Sequence, residues 1–505
     1  MTLIDWLPLV AVASALVPGV VITFLPEERS RLRTRVNLVG ATLQLVVVAI
    51  LIGEVAAGKR PEVRLPFVIG QEIVLHSDAL SLLLAGLSAV LWFLTTLYAI
   101  GYLEHSPNRN RFFGFFSLCV SATLGIALAG NLFTFFVFYE LLTLATYPLV
   151  VHRGTPDARR AGRIYLGYTL PGGLAFLIGL AWLVHVLEGP VGFTPGGVIP
   201  PGVAPDAVLL GIFALLVGGM AVKAAMVPLH GWLPIAMVAP APVSALLHAV
   251  AVVKAGAFGV VRVILDVFGL DLALALGGAQ AVAALAAVTI IYGSLRALFQ
   301  DHLKRRLAFS TVSQVSYILL GTALGGSIAL AGGLVHLVHQ GLMKITLFFC
   351  AGIYAETRGI HYISEMAGIG RRMPWTTAAF TVGALGMIGA PPIAGFITKW
   401  YLGLGGLAIG EGWVVAVLVT SSLLNAAYFL PILYTAWFQE WAGAPEPIEA
   451  AGGPAWRGEA PGLLLGPPLV TAVLALGLGL LADMPYTALQ WVRLITEREL
   501  GLWVP

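Results

Sequence analysis

Charge is scarce in this sequence. Of its 505 residues, 10% are Asp, Glu, Lys or Arg and 59% are hydrophobic, whereas about a quarter of a soluble domain is charged. So much apolar surface cannot be hidden in one globule, which excludes a water-soluble protein and makes the bilayer the expected solvent. The net charge is only +3, and no Lys/Arg-rich run offers a nucleic-acid surface. Cysteine is almost missing: Cys119 and Cys350 sit far apart in apolar runs, too few to hold an iron–sulfur cluster or a zinc ion within this chain. They read as packed thiols. A positive segment is absent before the first apolar run, so no cleaved signal peptide is expected. There is no P-loop and no nucleophile elbow. The glycines Gly477 and Gly479 follow no strand, so they are no nucleotide fingerprint. No cofactor is expected, and no bond-making chemistry.

What is there is a succession of apolar runs. About 20 such residues cross a bilayer as a helix, and fourteen candidates run from Leu7–Leu25 to Leu463–Leu481. They include span 5 (Leu132–Val151), span 7 (Ala207–Leu229), span 8 (Val243–Val267), span 11 (Ile328–Tyr354) and span 12 (Trp375–Leu402). Polar or Pro/Gly-rich stretches near Lys59–Asp78, Gly189–Asp206 and Gly443–Gly462 read as loops, and the tail Tyr486–Trp503 as an interfacial segment. With the N-terminus outside, the loops on the inner side carry 18 of the 28 Lys and Arg and the outer side 5, with Arg262 near the outer end of span 8. That is the asymmetry of the positive-inside rule. It predicts an all-α protein with about fourteen spans and both termini outside.

Four lysines remain, each inside a span: Lys223, Lys254, Lys344 and Lys399. A charge at the bilayer centre costs roughly 2.5–3.5 kcal/mol on insertion scales, so such residues face a polar interior and mark ion pathways. Glu140, in FFVFYELLTLATYPLV, is the main acid in a similar position. Burial lowers a lysine pKa and a nearby carboxylate raises it, so a Glu140–Lys223 contact that forms and breaks would switch the lysine between holding and releasing a proton. Structural ion pairing between helices is the competing reading.

Two spans are interrupted. Span 7 and its sequel contain Pro228 and Pro234; span 12 contains Pro391 and Pro392 between Gly389 and Gly395. Proline removes a backbone donor, and free carbonyls at membrane depth are tolerated where they line a polar cavity. Paired broken helices, each beside a lysine (Lys223, Lys399), point to an ion site in each half of a repeated fold; ordinary proline kinks are the alternative. Histidines extend the series. His248 precedes Lys254 on span 8, about 9 Å away along a continuous helix, a gap that water would bridge. His336 and His339 share a face of span 11, with Lys344 one to two turns on. These imidazoles suit a proton relay, a packed core or, least well with two ligands and no third, a metal site.

The run AVKAAMVPLHGWLPIAMVAPAPVSALLHAVAVVKAGAFGVVR, with FYELLTLATYPLV before it and LVHQGLMKITLFF and GAPPIAGFITKWYL after it, resembles the antiporter-like subunits of respiratory complex I, the D-type subunit of Mrp-type sodium/proton antiporters and the matching subunits of membrane-bound hydrogenases. The resemblance covers spans 4 to 13. It implies two five-helix inverted repeats, spans 4–8 within residues 111–268 and spans 9–13 within 269–440, flanked by 1–110 and 441–505. It implies proton-transfer roles for Glu140, Lys223, His248, Lys254, His336, His339, Lys344 and Lys399. Lysine at 399 departs from the branch with glutamate there, and the sequence stops after span 14 without the long lateral helix of the largest branch; both favour the Mrp D-type or a hydrogenase-type relative. The implied setting is a prokaryotic cell membrane, with other membrane subunits as partners. Protons are the expected cargo; whether sodium also passes stays open. A scaffold that has lost conduction is disfavoured by the intact charged series.

Overall fold

The structure, a computed structural model, describes residues 2–68, 70–104, 106–441 and 458–503. A 3-10 turn, Leu3–Trp6, leads into α1 (Leu7–Thr23) and α2 (Ser30–Ala56). The next segment was expected to be loop and is a hairpin: β1 (Glu62–Val68) pairs antiparallel with β2 (Gln71–His76), Glu62 opposite His76 and Leu65 opposite Ile73, with a bulge after Pro66. The hairpin packs on the residues around Gly130 and Thr134. Val74 N donates to Thr134 Oγ1 (2.8 Å), and Gly130 N to the Val74 carbonyl (2.8 Å).

The remaining helices are α3 (Ala79–Tyr102), α4 (Arg109–Ala127), α5 (Leu132–Val150), α6 (Pro156–Leu187), α7 (Asp206–Lys223), α8 (Trp232–Ile235), α9 (Ala241–Ala249) and α10 (Val252–Arg262). There follow α11 (Leu270–Ala275), α12 (Gly278–Leu298), α13 (Leu303–Ala323), α14 (Ser327–Arg358), α15 (Ile369–Arg372), α16 (Pro374–Ile388), α17 (Ala394–Ala408), α18 (Trp413–Phe438), α19 (Gly462–Leu480) and α20 (Ala488–Leu494). Their starts follow local chemistry. Asp78 caps α3 by accepting from Ser81 N (2.6 Å) while Ser81 Oγ accepts from Asp78 N (2.9 Å). Asn131 caps α5, accepting from Thr134 N at 2.7 Å. Thr155 caps α6, with Pro156 at its first position.

Among the described residues, 11 helical segments are long and apolar enough to cross a membrane. Three further crossings fail that measure for visible reasons: α13 opens with Lys304, Arg305 and Arg306, while α9/α10 and α16/α17 are each two short pieces. Together they make the fourteen expected spans. Arg457, counted with the inner-side cations, lies outside the described residues.

The 32-residue α14 is the central post, packed by α13, α16, α17, α9, α19 and α3. Both ends of the chain meet on one face. The N-terminal turn lies against β1; the C-terminal tail clasps the ends of α2 and α3, with Trp491 Nε1 donating to the Ala79 carbonyl (2.8 Å) and Arg498 to the Val55 carbonyl (2.8 Å).

Candidate functional site

The breaks are what expose the charges. Helix α7 ends at Lys223, Ala225 takes a left-handed conformation (φ +55°) and Pro228 follows in irregular chain, with Pro234 inside the four-residue α8. A left-handed alanine costs roughly 1–2 kcal/mol, so the surroundings impose the break; Trp232 helps, its Nε1 donating to the Val222 carbonyl at 2.8 Å. The second break separates α16 from α17. Gly389 ends α16 with φ +93°, Pro391 and Pro392 follow, and the freed Met387 carbonyl accepts from Asn425 Nδ2 at 3.0 Å. A third interruption corrects the sequence reading. The single helix expected over Val243–Val267 is two, divided at Val250–Ala251, so the rise of a continuous helix does not apply between His248 and Lys254.

The charged and imidazole side chains singled out in the sequence lie on α5, α7, α9, α10, α14 and α17, buried or half-buried. Glu140, half-buried on α5, rests against Gly173 of α6; its Oε1 has no hydrogen-bond partner. Lys223 is fully buried, donates to the Tyr139 carbonyl and lies 3.3 Å from the Tyr139 ring centre. It forms no ion pair with Glu140 within 4.0 Å in this structure, although the two charges interact. Lys254 is fully buried with no hydrogen-bond partner at all, and so is the His248 ring, which packs on Phe348 at 4.7 Å. Lys344 donates to Ser310 Oγ on α13. His336 packs against Tyr317 with the rings tilted by 35° (5.2 Å), and His339 Nδ1 meets Thr398 Oγ1 of α17 at 3.1 Å. Lys399 is held by the Ile388 carbonyl at the C-terminus of α16 (2.5 Å) and by Ser422 Oγ (2.7 Å). A cation at a helix C-terminus is favoured by the helix dipole.

Three features escaped the sequence. Lys304 was counted with the loop cations, yet it is 8% exposed and donates to the Ala239 carbonyl at 2.8 Å. A hydroxyl and amide network joins α12, α13 and α18: Ser294 meets Ser313 (2.9 Å), Tyr317 donates to Ser421 (2.7 Å) and Tyr428 to Asn425 (2.7 Å). The alternating polar residues of STVSQVSYI were the available signal. Arg262 is not peripheral: it is buried, bidentate to Asp78 (2.8 Å on both arms) and paired with Asp266 (2.7 Å).

Where α3, α9, α13 and α14 approach the face opposite the chain ends, a cavity of about 270 Å³ is lined by Arg153, His302, Lys304, Arg305 and His361. Burial, then Lys304 and Arg305, lowers the His302 imidazole to about 4; burial and Lys304 lower His361 as well. This mouth is thus rich in cations, with Asp157 as its one acid and with imidazoles that stay neutral near pH 7.

Gly389 tests how the second break holds Lys399. A side chain there would need a left-handed backbone and would sit 2.7 Å from Lys399 Cδ. Gly389→Ala is expected to lower stability by about 1–2 kcal/mol, read as a lower melting temperature in detergent; unchanged melting would show that the break relaxes freely.

The sequence model described as "NADH:quinone oxidoreductase/Mrp antiporter, TM" matches residues 129–425, and that described as complex I, chain 5 N-terminus, matches residues 70–113. Among similar proteins, NADH-quinone oxidoreductase subunit N of Desulforudis audaxviator is 37% identical over 397 residues, covering 76% of this chain and 77% of that protein. The Na(+)/H(+) antiporter D-type subunit of Bacillus subtilis is 30% identical over 378 residues, 74% and 75% of the two chains. A chain in the structure of the Mrp complex from a Dietzia species superposes with a TM-score of 0.84 at 25% identity, covering 98% of both chains. The protein is an antiporter-like, multi-pass membrane subunit and belongs to the NADH:quinone oxidoreductase/Mrp antiporter transmembrane family.

Proposed function

We propose that the chain moves protons along the buried series Glu140, Lys223, Lys254, His248, Lys344, His336, His339 and Lys399, as the D-type subunit of a multisubunit Mrp-type cation/proton antiporter. The observation that carries the transport reading is Lys254, a fully buried amine that no protein atom hydrogen-bonds, set just after the interruption between α9 and α10. A structural lysine would be paired, because leaving a charge unpaired in the interior costs several kcal/mol. The two terminal lysines share a design, each held by main-chain carbonyls next to a break. That parallel, and the serial packing of α4 through α10 and again of α12 through α18, supports two repeats, within 111–268 and 269–440. The cationic mouth is assigned to proton access from the inner side, with both chain ends outside.

The Mrp reading is supported by the likeness along 98% of both chains to a chain of the Mrp complex and by lysine, not glutamate, at 399. The second reading, a pumping subunit of a redox complex, is favoured by the 37% identity to subunit N of a quinone oxidoreductase. Purification from native membranes with mass spectrometry of the bound chains separates them: companions that are all membrane subunits favour exchange, and flavin or iron–sulfur proteins favour the redox complex. Glu140 is partly exposed on a spanning helix, and an acid facing lipid is costly, so Glu140 is placed near the contact with a neighbouring subunit. Glu140→Gln is expected to cut transport at least about fivefold, on the order of 1 kcal/mol. Wild-type rates in inverted vesicles would remove Glu140 from the pathway.

A further inference from the structure

A second basic cavity lies well apart from the buried lysines. It occupies about 350 Å³ where α2, α4 and α19 begin and α3 ends, the level at which the expected inner membrane surface crosses the protein. Arg31, Arg33, Arg35 and Arg109 line it, against one carboxylate, Glu104. Arg33 is 3% exposed, donates to Asn110 Oδ1 at 2.7 Å and lies 3.5 Å from Glu27, yet its Nε has no partner. Arg109 donates to the main-chain carbonyl of Glu104 at 2.9 Å, leaving its charge unmatched. Neither it, Arg31 nor Arg35 has an ion pair among the described residues.

Topology alone calls for cations on this side, but not for this arrangement. The positive-inside rule is satisfied by arginines extended into water. Here one guanidinium is sunk into the wall, and three more without ion pairs surround the same space. Guanidinium forks match phosphate oxygens bidentately, so the site is complementary to a phosphate group. Its other wall is apolar, made by Ile100, Phe113 and Leu463. A free phosphate has no use for that wall; a phosphodiester carrying a glycerol and acyl chains does.

We propose that this cavity binds the headgroup of an anionic phospholipid, the arginines taking the phosphate and the apolar wall the glycerol end of the chains. The lipid would bridge α2 to α19, which belong to opposite ends of the sequence.

The test uses the intact complex in nanodiscs of phosphatidylcholine with a minority of phosphatidylglycerol. Phosphatidylglycerol retained through mild delipidation is counted per chain by mass spectrometry. Arg31→Gln/Arg35→Gln and Arg109→Gln are compared with wild type, each melted in phosphatidylcholine discs to check folding. The expected result is about one fewer phosphatidylglycerol retained per chain and at least tenfold weaker uptake, with melting in phosphatidylcholine unchanged. Equal retention overturns the proposal. Displacement of the lipid by millimolar inorganic phosphate assigns the cavity to a free anion and overturns the lipid reading. Should the variants fail to fold, the wild type decides: phosphatidylglycerol raising its melting temperature over phosphatidylcholine supports the site, and no shift refutes it.

Discussion

Lys254→Met is expected to stop ion translocation while leaving the protein folded and at least as stable. Two facts combine to set those opposite signs. The Lys254 amine is fully enclosed and no protein atom hydrogen-bonds it. Its burial therefore costs the fold free energy and returns none, and methionine fills a similar volume without a charge. Removing an unpaired buried charge leaves no orphaned partner behind, unlike breaking a buried pair. Transport is different, because a relay requires a group at this point that can hold and give up a proton. The other basic residue of α10, Arg262, is locked onto Asp78 and Asp266, so nothing else on that helix takes the place of Lys254. A loss of at least tenfold, about 1.4 kcal/mol in the limiting step, is expected in proton-gradient dissipation by inverted vesicles carrying the whole complex. Melting in detergent should be unchanged or higher. Wild-type transport in Lys254→Met would end the relay reading at its centre. Lost transport together with a collapsed melting temperature would show that Lys254 holds structure instead.

The spans and the candidate site differ in how well they could be read in advance. The membrane helices were legible because apolar length and the placement of Lys and Arg are properties of sequence alone. Lys223, Lys254, Lys344 and Lys399 stood out for the same reason: charge inside an apolar run has few innocent explanations. Breaks announced by proline were legible too, at Pro228 and at Pro391–Pro392. The interruption at Val250–Ala251 was not, since nothing in HAVAVVKAG signals a stop, and tertiary packing imposes it. Lys304 escaped because three consecutive basic residues look like a loop, although α13 starts before them and turns Lys304 inward. The β1–β2 hairpin was hidden by its brevity and by Pro66. Without partners of its own, so short a ribbon is marginal; it is held by Thr134 and Gly130 beneath it.

Arg262→Ala is expected to be the most destabilising single change in the half of the protein where the chain ends lie. Arg262 is buried with both arms engaged: one on Asp78 alone, the other shared between Asp78 and Asp266. Asp78 in turn caps α3, whose first residue is clasped by Glu499 (2.8 Å from Ala79 N) and Trp491 of the C-terminal tail. One guanidinium thus ties α10, the start of α3 and the tail into one knot. Its removal leaves two carboxylates in the interior with their countercharge gone, and breaking a buried pair in this way costs roughly 3–5 kcal/mol. The expected result is a large fall in melting temperature in detergent, with protease sensitivity appearing first in the tail. Adding Asp266→Asn to Arg262→Ala removes one of the two stranded charges and should recover part of the loss, which a generic packing defect would not show. If Arg262→Ala melts like wild type, the knot contributes no stability and the tail is held by its other contacts.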